Sequence, residues 1–128
     1  MSRKNFSSGS PWEPVVGYSR AVRTGNTIEV SGTVAVDQNG ETVGKDDPYV
    51  QTHYVLEKIG KVLEEAGAGM NHVVRTRIYC TDIRQWEAIG KAHGEYFSSV
   101  LPATSMVQVA ALIGKDYLVE IEATAIVC

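Results

Sequence analysis

The spacing of hydrophobic and polar residues changes along the chain, and each change marks an element. Residues 15–22 and 27–36 are β-prone runs separated by Arg23-Thr24-Gly25-Asn26, a turn-rich tetrad that predicts a hairpin. A short further strand is offered by residues 3–6, and Asp37-Gln38-Asn39-Gly40 closes the run that ends at residue 36. The Ser/Gly/Pro-rich stretch 7–14 is expected to be a loop. Asp47 followed by Pro48 is an N-cap and first-turn proline, and behind it Val55, Ile59, Val62, Leu63 and Ala66 recur at helical spacing up to a stop at Gly67. Glu57, Lys61 and Glu64 fall on the wet side.

Residues 72–81 alternate. Val74, Thr76, Ile78 and Cys80 share one face, while Arg75, Arg77 and Tyr79 share the other, the mark of a half-buried strand. Asp82 can cap a second helix with Trp86, Ile89, Tyr96, Phe97 and Val100 on its apolar side, ended by Leu101-Pro102. Two more strands, 104–112 and 117–127, are joined at Gly114-Lys115-Asp116. The order predicts one α+β domain over residues 1–128, a mixed sheet with two helices on one face. The opposite face carries Met106 and Leu118, and self-association is the simplest way to cover it.

Composition narrows the function. The 128 residues are 44% hydrophobic and 21% charged, an ordinary globular balance. Twelve Lys+Arg against fifteen Asp+Glu give a formal charge of −3, so no concentrated positive charge suggests a nucleic-acid partner. No apolar run reaches membrane-spanning length, and the start, MSRKNFSSGSPWEP, lacks the apolar segment of a signal peptide. Two cysteines are too few for a disulfide scaffold, so a reducing, cytoplasmic setting is expected.

Glu120 and Glu122 are the sharpest chemical signal. At i, i+2 they lie on one face of an otherwise apolar strand, where repulsion and burial can raise one pKa toward the range of a general acid or base. The same pair could instead block strand aggregation or pair with Arg75 and Arg77. His53, His72 and His93 have no metal-ligand spacing, so no metal is expected, and His93 fits a surface or interface position. Gly32 inside a strand predicts a bulge or a close approach by a ligand. Cys80 on an apolar face fits a small inert hydrophobe, and Trp86 fits a core aromatic or a pocket wall.

These residues also carry a resemblance. Gly17-Tyr18-Ser19-Arg20-Ala21-Val22, Val30-Ser31-Gly32-Thr33, Gln51-Thr52, Leu63-Glu64-Glu65-Ala66-Gly67, Tyr96-Phe97, Pro102-Ala103 and Val119-Glu120-Ile121-Glu122-Ala123-Thr124-Ala125 stand in order over nearly the whole chain. Together they resemble the Rid family (YjgF/YER057c/UK114), the reactive-intermediate deaminases. The resemblance implies a chorismate-mutase-like α+β fold assembled as a homotrimer, with small-molecule clefts between subunits and no cofactor. It implies hydrolysis of an imine or enamine to a ketone and ammonia.

Residue by residue, the resemblance assigns the water-orienting glutamate to Glu120, the cleft tyrosine to Tyr18 and the ligand-facing backbone to Ser31 and Gly32. The family's carboxylate-clamping arginine falls on Thr104, and a frequent helix asparagine falls on Gly90. Losing a bidentate cation removes a strong, charge-assisted contact, so the substrate is expected to differ from a standard 2-imino acid. Arg20, two residues from Tyr18 along a strand, either replaces that cation in the cleft or forms an ion pair elsewhere. A ligand-binding trimer without turnover is the alternative to a C–N hydrolase. Endoribonuclease activity, a label also attached to the family, fits least, given the negative charge and the lack of a His/Lys catalytic pair.

Overall fold

The first hairpin is tight. Strands β2 (Ala21–Thr24) and β3 (Thr27–Thr33) meet across Gly25-Asn26, with Gly25 at φ +57°, the left-handed conformation such a loop demands. Strand β1 (Arg3–Phe6) pairs antiparallel with β2 and forms the outer edge. A computed structural model describes residues 2–128. Between β1 and β2 lies α1 (Trp12–Val16), where the sequence suggested a loop and then a strand from residue 15. Pro11 at φ −65° leads into it and Gly17 at φ +91° ends it, its N–H bonded to the Glu13 carbonyl. Five residues are too few to show a period, and β-branched Val15 and Val16 mimic a strand.

Helix α2 (Pro48–Glu65) begins as expected: the Asp47 carboxylate accepts from Val50 N–H at 3.0 Å. It leads to β4 (Val73–Cys80), then α3 (Trp86–Phe97), β5 (Ala103–Gln108) and β6 (Val119–Ile126). The sheet order is β1-β2-β3-β6-β4-β5, so the last strand inserts between β3 and β4. β4 and β5 are parallel, joined through α3. Ile28, Val30, Ile78, Val119 and Ile121 of the sheet pack under Val55, Leu56, Ile59 and Leu63 of α2 and Ile89 and Phe97 of α3. The expected α+β architecture, two long helices on one face of a mixed sheet, is present.

Local departures have identifiable causes. A register shift in β4 against β6 between Val73 and Arg75 buries Val73 and leaves Val74 43% exposed, reversing the expected face for Val74. Asp82 caps a 3-10 turn, Ile83–Gln85, before α3 begins, and Trp86 is 56% exposed rather than in the core. β5 stops at Gln108 instead of 112 because its partner β4 ends at Cys80 and turns away. Met106 pairs with Ile78 and packs against the core on the helix side, not on the open face. β6 starts at Val119 because the preceding loop is held by a fully buried Gln51, which accepts from Leu118 N–H (2.9 Å) and donates to the Asp116 carbonyl (2.9 Å). No helix among the described residues is long and apolar enough to cross a membrane.

Candidate active site

Tyr18 and Arg20 precede β2 rather than lying in it, so strand alternation does not bring them together. The α1 exit does. Glu13 is 4% exposed, and its carboxylate accepts from Ser8 N–H (3.2 Å) and Ser8 Oγ (2.5 Å), fixing the loop before α1 to the helix. Burial alone would raise its pKa, but the bonds from Ser8 and Ser7 and the Arg20 charge leave it lowered. After Gly17 the chain reverses and Arg20 N–H bonds the Phe6 carbonyl at 2.8 Å. The Arg20 guanidinium then lies 5.7 Å from the Tyr18 ring centroid and donates to the Gly32 carbonyl at 3.0 Å. Its Nε is buried and unpartnered among the described residues. Ser31 Oγ donates to the Ser19 carbonyl at 2.7 Å, so its hydroxyl secures this loop.

Gly32 sits where β3 shifts register against β6 between Val30 and Thr33, the bulge its position predicted. A Cβ there would stand 2.5 Å from Glu120 Oε2, so glycine leaves the room that the carboxylate occupies in this position. Glu120 and Glu122 project from β6 on the face opposite the helices and, with Tyr79, Gly32 and Leu112, line an open cavity of about 360 Å³. The two carboxylates differ in their partners. Glu122 accepts from Tyr79 Oη at 2.8 Å and lies 3.7 Å from Arg77 Nε, whereas Glu120 accepts no hydrogen bond among the described residues. Arg75 is bonded to Ser105 instead. Burial raises the Glu120 pKa; Arg20 opposes the rise and Glu122 adds to it. An unencumbered carboxylate with a raised pKa, beside a fixed guanidinium, can accept a proton from a bound water.

Thr104 is not in this cavity. In the β4–β5 register it opposes Thr76 on the helix side of the sheet. There it lines a second cavity of about 300 Å³ with Gly90, His93, Leu101 and Met106. His93 is half-buried within the chain: Nε2 is 2.9 Å from Thr76 Oγ1, and its ring lies 4.6 Å from that of Phe97. Burial lowers its pKa. Arg20 thus links Tyr18 to Gly32, and Gly32 lies against Glu120, but Tyr18, Arg20 and Ser31 do not line the Glu120 cavity, and Thr104 stands across the sheet.

No local pattern flags Glu13, Lys58 or the tie between His93 and Thr76, since each depends on a tertiary contact. Lys58 reaches from α2 to the Val34 and Val36 carbonyls, both at 2.9 Å, and fixes the segment after the bulge. Burial, and then the Arg20 charge, lowers its pKa to about 8. Cys80 is fully buried with a raised thiol pKa, caused first by that burial, as an inert hydrophobe would be.

A mixed six-stranded sheet with these helices matches one group of known proteins. The chain belongs to the endoribonuclease L-PSP family, whose model matches residues 9–127. A RutC family protein of Pyrococcus abyssi is 38% identical over 120 residues, covering 94% of this chain and 93% of that one. A Mycobacterium tuberculosis crystal structure described as a YjgF/YER057c/UK114 family member is 48% identical with a TM-score of 0.90, covering 98% and 100% of the two chains. A Yersinia pestis protein described as a conserved Rid-family protein of unknown function is 31% identical with a TM-score of 0.85, covering 98% and 100%. The resemblance seen in the sequence fragments, and the fold it implied, are therefore shown.

Proposed function

We propose that the protein hydrolyses a small imine or enamine in a cleft between subunits, with Glu120 orienting and partly deprotonating the attacking water. Water adds across C=N, the tetrahedral carbinolamine collapses, and ketone and ammonia leave; atoms balance without a cofactor. The observation that carries this reading is the free Glu120 carboxylate with its raised pKa, beside Arg20 and against Gly32. An imine carbon is electrophilic enough for a positioned base to suffice, a contribution of about 10²–10⁴-fold. Tyr18 and Arg20 would line the cleft, and the Ser31-Gly32 backbone would face the ligand.

A homotrimer belongs to this proposal because one chain cannot complete such a cleft: Glu120 and Thr104 lie on opposite faces of the sheet. A second copy would supply the wall that carries Thr104. Binding without turnover is favoured by one observation, the neutral Thr104 where the family resemblance places a cation. A ribonuclease reading lacks support from the −3 formal charge. Two cysteines outside any disulfide fit a cytoplasmic setting. The deciding experiment is ammonia release from imines generated in situ, comparing wild type with Glu120→Gln. Turnover should fall about 10²–10⁴-fold with the fold intact, and an undiminished rate would refute the mechanism.

A further inference from the structure

We infer that the cavity between α3 and β5 is the specificity pocket for an uncharged, apolar substituent of the substrate, with Thr104 at its mouth as the hydrogen-bond donor to the ligand. This deepens the imine-hydrolase reading and rests on it. No lysine, arginine, aspartate or glutamate lines the cavity; its walls come from Ile78, Phe97, Leu101, Pro102 and Met106. An ionised group entering such walls would lose its hydration with no countercharge to replace it. About 300 Å³ lies at the lower end of ligand pockets and suits one ring or a branched alkyl group.

The polar atoms form a chain rather than isolated contacts. Thr76 is fully buried, and its Oγ1 lies 2.9 Å from His93 Nε2 and 2.8 Å from Thr104 Oγ1. With the proton on His93 Nε2, the chain runs from His93 to Thr76 to Thr104. Thr104 then keeps its own proton for the Pro102 carbonyl, 3.2 Å away, or for a ligand acceptor. Each bond polarises the next, so the terminal hydroxyl is a better donor than an isolated threonine. A ketone oxygen or imine nitrogen can accept from it, and the apolar substituent can occupy the cavity behind. His93 is a positioning residue here, acting through Thr76.

Methionine methyl resonances test this directly, because Met106 lines the cavity and Met70 lies elsewhere. The full chain, labelled with ¹³C at the methionine methyls, is titrated with acetophenone and separately with benzoylformate, which replaces the methyl with a carboxylate. Acetophenone should shift Met106 saturably and leave Met70 unmoved, and benzoylformate should bind at least about tenfold more weakly, the cost of an unpaired ion. Thr104→Val should weaken acetophenone about fivefold, the value of one hydrogen bond. Thr104→Arg should reverse the preference, with unchanged Met70 shifts reporting an intact fold. Equal or tighter binding of benzoylformate to wild type overturns the inference. So does a Met106 signal silent to both ketones, the result expected if a second copy's side chain fills the cavity. Wild type that binds acetophenone at Met106 yet hydrolyses no imine would sink the hydrolase reading alone.

Discussion

Gly32 and Glu120 form a matched pair in which backbone bareness makes room for a carboxylate. In Gly32→Ala the new methyl would meet Glu120 Oε2 at 2.5 Å and Cδ at 2.9 Å. The clash is with the end of a flexible side chain, so the strand survives and the carboxylate swings aside. Displacement of about 1 Å at a reacting group costs on the order of 10²-fold. Gly32→Ala should therefore lose turnover at that scale while circular dichroism stays native, and a fully active variant would detach Gly32 from the site. Glu120 itself should show a trade between chemistry and stability. Its raised folded pKa means the fold binds more protons than the unfolded chain between the ordinary 4.5 and the raised value. Stability from this group is then present below 4.5 and lost as pH rises through the folded pKa. Glu120→Gln should flatten that decline and melt higher than wild type at pH 7–8, in a melting series from pH 4 to 8. These two residues were legible in the sequence because an in-strand glycine and an i, i+2 carboxylate pair break a local pattern. Arg20 was legible as a neighbour of Tyr18 through the wrong geometry, since the α1 exit brings them together where strand alternation was expected to.

Elements follow the same division between local and tertiary signals. α2 was readable end to end because a long amphipathic period is flanked by Asp47-Pro48 and by Gly67. Removing that cap should cost about 1 kcal/mol, as Val50 N–H loses its acceptor, and Asp47→Ala should melt about 4 °C lower. No such signal exists for α1, whose Val15 and Val16 suit a strand and whose buried Glu13 is anchored by serines from the preceding loop. Gly17 is its hinge. At φ +91° an alanine would carry roughly 1–2 kcal/mol of left-handed strain. Because Tyr18 and Arg20 follow immediately, Gly17→Ala should raise KM more than it lowers stability would suggest. A KM unchanged beside a depressed melting temperature would make α1 merely structural.

Across the whole molecule, the sheet's two faces carry chemically different cavities, one lined by Glu120 and Glu122 and the other apolar with Thr104. The period-2 pattern of β6 revealed the Glu120 face, but β5 is an exposed edge strand whose facing only its register with β4 settles. That is why Thr104 and Glu120 could be assigned together from the sequence and yet stand apart in one chain. If the assembly is the proposed trimer, light scattering should report about three times the 13.9 kDa chain. Mass alone does not show that sites are shared, whereas complementation does. Two variants are made, Glu120→Gln, which lacks the base, and Thr104→Trp, which fills the cavity, each tested alone on an imine that the wild type hydrolyses. Both should be nearly inactive. Unfolded together in equal amounts and refolded, they form mixed trimers in which a site needs Glu120 from one copy and Thr104 from its neighbour. With random assembly about a quarter of the sites receive both intact residues, so about a quarter of wild-type activity should return. If each site were built within one chain, every copy would carry a lesion and the mixture would stay as inactive as its components.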